Sequence, residues 1–376
     1  MTSLFTINAC KTFGCRNLGL AASPDYIWPD YRLGYPALHC KACGSYPPLF
    51  NAAEFARWAA AYLKHAAREH GFFCPCCYQK ETIHYGHHPG GSQRLQCQYC
   101  KKVWTPKQPR QVAAPTAICS VPLLLPFQGA SASQQLYVLI SVDAVRGNVL
   151  SVSSNFTPHE AGPTLRYRWR GIFPTPASHP QIMERVAMKE RQFLQRSQFD
   201  EIQYGPAELK RNAKGAILRP VITAHGHFRA LKARFPAVTT HIIAHECFLR
   251  GAVITAWAER FRQRQASLWF VEEERINESC TDVWQLRGKA NQGWWQNQWQ
   301  LWQQGYNQKM VCPLTESQRE PASEISLATG HRFLRWLSLQ TEFQHSARYS
   351  AQRVTQLLQM LADNYNIQRI TPSSPS

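Results

Sequence analysis

The chain is 376 residues long and carries 42 Lys and Arg against 24 Asp and Glu, a formal net charge of +18. Its hydrophobic content of 44% and aromatic content of 12% exclude an intrinsically disordered chain, and its length suits two or three domains. No run approaches the roughly 18 apolar residues of a membrane span, and Met1-Thr2-Ser3-Leu4-Phe5 lacks the basic start and apolar core of a secretory signal, so a cytoplasmic protein is expected.

In chain order, the cysteines come first. Cys10 and Cys15 pair with Cys40 and Cys43, and Cys74 and Cys77 pair with Cys97 and Cys100, leaving Cys76 over. In a reducing compartment such pairs are metal ligands rather than disulfides, and two knuckles separated by a loop close a tetrahedral zinc shell. Two structural zinc ions are therefore expected, in a first ribbon over residues 1–50 and a second over 71–105. Gly34 and Gly91 each precede the later knuckle of their set by six residues, as in an internal repeat. Between the ribbons, Asn51 to Glu54 offers a cap, and Phe55, Trp58, Tyr62 and Leu63 recur at helical spacing, so a connecting helix is expected over 51–70.

Residues 106–133 hold Pro106, Pro109, Pro115, Pro122 and Pro126 and read as a linker, with at most an edge strand at Ile118–Phe127. A mixed α/β domain over 134–368 follows, with 369–376 a disordered tail. Leu136 to Val152 reads as two strands about a turn, and Thr240 to Ala244 as a short strand. Helices are expected at about 180–198, 225–235, 249–265, 290–304, 324–341 and 350–364. Trp295, Trp299 and Trp302 would share a buried face of the fourth of these, and Glu272-Glu273-Glu274 reads as a solvated turn.

Scarce acids rather than basic tails account for the charge, since charged residues are only 18% of the chain. That balance points to a polyanion, nucleic acid ahead of a membrane surface. Arg94, Lys101, Lys102, Lys107 and Arg110 flank the second ribbon, and Arg166, Arg168 and Arg170 alternate with Tyr167 and Trp169, so both arrays are candidate DNA contacts.

Gly91 to Thr105, preceded by Phe73-Cys74-Pro75 and Cys77, resembles the N-terminal zinc ribbon of bacterial insertion-sequence transposases. Leu136 to Leu150 resembles the hairpin of their catalytic domain, and Phe333 to Thr341 with Arg348 to Asn366 resembles its closing helices, which end in Tyr-Asn. The resemblance implies an RNase H-like domain after the two ribbons, in which three acids hold two Mg²⁺ ions for phosphodiester transfer. Glu324 matches the third acid. Arg219 to Gly226 carries no acid where the second belongs, and Ser120 to Phe127 none where the first belongs. One carboxylate binds Mg²⁺ poorly, so the resemblance implies a transposase-related protein of a mobile element that binds DNA, alone or as a homo-oligomer, without cutting it.

Two other readings stand beside it. A different alignment makes Asp143, Asp200 and Glu324 an active Mg²⁺-dependent triad. Alternatively, His225, His227, His241 and His245, on a strand and loop, hold a catalytic zinc ion for hydrolysis.

Overall fold

The structure, a computed structural model, describes residues 7–32, 37–47, 49, 74–77, 81–106, 114–128, 135–157, 181–199, 207–208, 216–217, 220–274, 280–293, 296–316 and 320–370. The connecting helix expected over 51–70 and Gly34 lie outside these residues.

Each cysteine set sits on a small antiparallel sheet. In the first, β1 (Tyr26–Asp30) pairs with β2 (Ala37–Cys40). In the second, β3 (Thr82–His87) pairs with β4 (Gln93–Cys97), which pairs with β5 (Val103–Trp104).

The large domain is built on one mixed sheet. Its first strands are β6 (Ala117–Leu125), β7 (Leu136–Asp143) and β8 (Val149–Ser154), an antiparallel run. The strand β12 (Thr240–Ala244) lies parallel to β6 on one side and to β13 (Ser267–Glu273) on the other. Then β14 (Gln285–Gln292), β15 (Asn297–Gln304) and β16 (Asn307–Pro313) form an antiparallel extension joined through β16 to β13. The order across the eight strands is β14-β15-β16-β13-β12-β6-β7-β8. A separate three-stranded patch comprises β9 (Phe156–Thr157), β10 (Ala207–Glu208) and β11 (Ala216–Ile217).

Helices cover both faces, as a sheet apolar on both sides requires. One core lies under α1 (Ile182–Phe199), α2 (Pro220–Arg234), α3 (Cys247–Ala256) and α4 (Ala258–Arg262), and contains Val186, Phe228, Val253 and Phe261. The other lies under α5 (Ala328–Ser338) and α7 (Ala351–Ile370) and contains Phe333, Leu337, Leu357 and Leu361. A short α6 (Thr341–Gln344) joins these two. No helix among the described residues is long and apolar enough to cross a membrane.

Several expectations need correction. Residues 117–125, read as linker or edge strand, form a central strand: Ile118 enters one core while Cys119 and Val121 enter the other. Pro122 is tolerated because β12 pairs with β6 only through Ala117–Ser120, which leaves that side of Pro122 without a partner needing its missing N–H. The helix expected at 290–304 is the β14–β15 hairpin, turning through Gly293 at φ +76°. Trp299 is buried among the residues under α1 and α2 whereas Trp302 packs against the opposite core, the two-faced placement of a strand, and Trp295 lies outside the described residues.

The helix expected at 249–265 is split into α3 and α4, and α2 begins at Pro220, five residues early, with proline in the first turn where its absent N–H costs nothing. The helix expected at 324–341 starts only at Ala328. Glu272 and Glu273 are strand residues, not a solvated turn. Glu272 takes Lys189 Nζ at 2.6 Å and Arg185 Nε at 3.4 Å, and Glu273 accepts the Leu327 N–H at 2.8 Å. The tail begins later than residue 369, because α7 runs through Ile370.

The closing helix is tied to the sheet by the asparagine of its Tyr-Asn pair. Asn366 Oδ1 accepts the Val149 N–H and its Nδ2 donates to the Val149 carbonyl, both at 2.8 Å. Because β8 is the last strand of the sheet, Asn366 stands in for a further strand. Replacing Asn366 with Ala is expected to cost about 1–2 kcal/mol in chemical denaturation, and a change below about 0.5 kcal/mol would show the amide to be dispensable.

Candidate metal centres

Two knuckles bring each cysteine set together. In the first, Cys10 Sγ lies 3.5 Å from Cys43 Sγ and Cys15 Sγ 3.8 Å from Cys40 Sγ. In the second, Cys74 Sγ is 3.4 Å from Cys100 Sγ and Cys77 Sγ 3.5 Å from Cys97 Sγ. All four sulfurs of each set lie within 4.8 Å of one another. A tetrahedral zinc ion with Zn–S near 2.3 Å sets its sulfurs about 3.8 Å apart, so each set can hold one zinc ion. Four thiolates would fill the shell of such an ion and leave no position for water or substrate, as in a structural rather than a catalytic centre.

The knuckles themselves are alike. Gly44 N–H donates to the Cys40 carbonyl at 2.8 Å, and Lys101 N–H to the Cys97 carbonyl at 3.0 Å. The residue after the second cysteine is left-handed in both, Gly44 at φ +71° and Lys101 at φ +62°. Glycine suits that position; lysine strains it.

Backbone and side-chain donors prepare the sulfurs for the charged state. Asn17 donates its N–H to Cys15 Sγ and its Nδ2 to Cys40 Sγ, both at 3.4 Å. Burial opposes ionisation of Cys43, but the Ser45 hydroxyl and N–H outweigh it and bring the thiol down to about 6. The Lys102 N–H does the same for Cys100, also to about 6. Burial pushes Cys10 and Cys15 up in the first set and Cys74 in the second, so each set pairs a readily ionised thiol with at least one that resists.

The two ribbons differ in their surroundings. The first is docked on the large domain: Phe13 meets Phe261 edge-on at 5.6 Å, Leu18 is part of the main core, and Arg262 Nη1 donates to the Leu18 carbonyl at 2.6 Å. Gly19, at φ +68°, lies so close to Ala258 that a side chain there would strike its Cβ. The second ribbon buries its own small cluster of Cys74, Cys77 and Cys97, edged by Cys100 and Trp104. It exposes Ile83, Tyr85 and Tyr99, the last to 77%. Cys76 is exposed beside it.

Cations share this second surface. Lys101 and Lys102 are exposed, and the Arg94 guanidinium lies over the Tyr85 ring at 5.8 Å. Lys107, Arg110, Arg166, Arg168 and Arg170 lie outside the described residues.

Of the three candidate acids, Asp143 and Glu324 are among the described residues. Asp143 is fully buried and accepts the N–H groups of Val145 and Arg146 at 2.9 Å, with Arg146 Nη1 at 3.2 Å, so it closes the β7–β8 turn. Glu324 sits in the turn before α5, its N–H donating to the Pro321 carbonyl at 3.0 Å, and Asp200 lies outside the described residues. Among the described residues, only the two cysteine sets bring three or more possible ligands within reach of one ion.

The four histidines are likewise apart, and they lie on a helix and a strand with its following residue rather than on a strand and loop. His225 (α2) faces Thr255 Oγ1 at 3.0 Å; His227 (α2) lies between Ser141 Oγ at 2.7 Å and Ser153 Oγ at 2.8 Å. His241 (β12) packs on Trp257 at 4.3 Å, and His245 faces Glu190 Oε1 at 3.2 Å. Burial lowers all four pKa values and holds His227 and His241 near 3. Among the described residues they form no group of three ligands within reach of one ion.

Sequence reasoning misses Lys309 altogether. It is fully buried, donates to the carbonyls of Ser323 at 2.6 Å and Ile325 at 2.7 Å, and so clamps the turn that carries Glu324. Burial lowers its pKa to about 8 against the opposing pull of Glu273 and Glu324. An isolated lysine in a Gln-rich stretch carries no periodicity that marks it as buried.

No family model matches the chain, no curated protein matches it, and no solved structure matches it.

Proposed function

We propose that the protein binds DNA through its zinc ribbons and carries a transposase-related, RNase H-like domain that does not cut. What carries the fold half of this reading is the core order β8-β7-β6-β12-β13. Three antiparallel strands are followed by two that run parallel to the first of the three. That order and those directions are the ones the RNase H-like fold uses, although a fold on its own does not establish an activity.

The absence of cutting rests on how α5 meets β6. In a two-metal site of this kind, acids from a strand and a nearby helix flank a gap of about 4 Å between metal ions. Here α5 sits flush on the strand: a Cβ at Gly330 would come within 2.8 Å of Val121 Cγ1 and 3.3 Å of Cys119 Sγ. Cys119 is fully buried, and burial pushes its thiol up to about 12. A neutral thiol against a helix leaves no room for hydrated ions.

The binding half rests on the exposed Tyr85, Tyr99, Lys101 and Lys102 of the second ribbon, with the half-buried Arg94 beside Tyr85, and on the +18 net charge. Cations there would meet phosphates while the aromatic rings pack on sugar or base faces.

Fluorescence anisotropy with a labelled 30-base-pair duplex tests the reading. The full chain is expected to bind with a salt-dependent affinity, and Arg94→Ala/Lys101→Ala/Lys102→Ala to flatten the salt slope by about three, one for each cation removed from a phosphate. Absence of binding would refute the reading. So would Mg²⁺-dependent nicking of plasmid DNA that Asp143→Ala, Asp200→Ala or Glu324→Ala abolishes, a result that installs the active triad instead.

A further inference from the structure

A cleft of about 330 Å³ opens where the first ribbon meets the large domain. One wall is the ribbon turn carrying Phe13 and Arg16; the other is the end of α4, with Phe261, Arg262 and Arg264, and the segment holding Glu316. Three arginines and one acid, Glu316, therefore line the cleft, with Arg16 itself paired to Asp25.

The guanidiniums are held in place. Arg16 donates Nε and Nη2 to the two oxygens of Asp25, both at 2.9 Å. Arg262 Nη1 is fixed on the Leu18 carbonyl at 2.6 Å. Arg264 makes a looser contact with Glu316 at 3.4 Å, and both of those side chains are about three-quarters exposed, 76% and 73%. An exposed pair of this kind adds little stability.

The backbone at Arg264 supplies an independent argument. The Gln265 N–H donates to the Arg260 carbonyl at 2.8 Å and the Arg264 N–H to the Phe261 carbonyl at 3.1 Å. These two bonds are a Schellman helix end with Arg264 at the left-handed position, φ +55°. Glycine is the usual residue there because any side chain strains it. An arginine that strains its backbone, gains little from its ion pair and lines a cationic cleft is placed for what its guanidinium can bind. Lys101 presents the same conflict in the second ribbon, where the first ribbon has Gly44.

We propose that this cleft seats the phosphate backbone of a nucleic-acid strand, with Arg264 and Arg16 as contacts and the docked first ribbon as one wall. The inference rests on the nucleic-acid reading above but concerns a surface apart from the second ribbon.

The test uses the full chain, the labelled 30-base-pair duplex and a single strand of the same sequence, with affinity measured across a salt series and melting temperature beside it. Arg264→Gly is expected to raise the melting temperature by about 2 °C by relieving the helix end. It is expected at the same time to weaken binding roughly eightfold at 0.1 M salt and flatten the salt slope by about 0.9, as one fewer neutralised phosphate requires. Arg264→Lys should keep the parent slope, and Glu316→Gln should tighten binding. A more stable Arg264→Gly variant that binds either probe with the parent's affinity and slope would overturn the proposal while leaving the ribbon reading intact. Weakening by Arg264→Gly without weakening by the triple ribbon variant would uphold the cleft and refute the second ribbon as the contact. Failure of the parent chain to bind either probe would refute both.

Discussion

Replacing Cys40 with Ala is expected to release one of two zinc ions and lower the melting temperature of the entire chain by more than about 10 °C, whereas Cys97→Ala releases one zinc ion and shifts that transition by less than about 2 °C. The asymmetry follows from what each ribbon touches. A structural zinc ion contributes about 10–16 kcal/mol to ordering a small ribbon. In the first ribbon that order is passed on: Leu18 lies in the core with Phe261 and Trp257, Phe13 packs on Phe261, and Gly19 seats against Ala258. Without the metal this packing has no scaffold, and a deficit of several kcal/mol moves the transition by about 2–4 °C for each kcal/mol. The second ribbon's buried cluster is its own, Cys74, Cys77 and Cys97 with Cys100 and Trp104. Zinc content by mass spectrometry and calorimetry on both variants decide the matter. Equal shifts would remove the distinction between the ribbons, and two zinc ions retained in either variant would break the ligand assignment.

The metal sets are legible in the sequence because ligand spacing is a local property: a knuckle is one turn, and two turns suffice for a site. The apolar strands at 136–143, 149–154 and 240–244 are legible for the same reason, as short runs bounded by turn residues. Legibility fails where two periods fit one stretch. Trp295, Trp299 and Trp302 satisfy helical spacing, yet Gln298, Gln300 and Trp302 also alternate with Trp299 and Leu301, and pairing with β14 and β16 selects the strand. It fails again where a largely buried strand contains a proline, as in β6, since only the extent of β12 shows that Pro122 is tolerated. The docking of the first ribbon is invisible for a different reason. Phe13, Leu18 and Gly19 follow no repeat, and their partners lie some 240 residues away in the chain, as the Arg262–Leu18 separation of 244 shows. The same holds for the candidate acids: only the fold shows Asp143 engaged in a turn.

Acid is expected to destabilise the protein steeply, and a single core histidine variant is expected to reduce that sensitivity at almost no cost near neutrality. His227 and His241 have an ordinary pKa of 6.5 in the unfolded chain and about 3 in the folded one, because burial disfavours the charged ring. His225 is lowered well below 6.5 by burial, with Lys11 and Arg229 adding to it. Between about pH 6.5 and pH 3 the unfolded chain therefore binds more protons than the folded one, so stability rises with pH across that window and is lost as pH falls through it. Each such histidine contributes a slope of up to about 1.4 kcal/mol per pH unit. His241→Phe and His227→Phe each remove one of these slopes, but they differ at pH 7. Both ring nitrogens of His241 are buried without a hydrogen bond among the described residues, and the ring packs on Trp257 at 4.3 Å and Phe261 at 5.8 Å. Phenylalanine orphans nothing there, and its stability at pH 7 is expected within about 1 kcal/mol of the parent. His227 joins Ser141 to Ser153 within a buried chain that continues to Ser120 at 2.6 Å. His227→Phe leaves Ser153 and one valence of Ser141 unsatisfied, at a cost of about 2–4 kcal/mol. Acid also frees zinc from thiolates, but parent and variants share that loss and it cancels in their difference. Urea denaturation at pH 7 and pH 5 separates the two quantities. If His241→Phe has the parent's pH slope, the ring is charged or solvent-reached in the folded protein and the buried-neutral assignment is wrong.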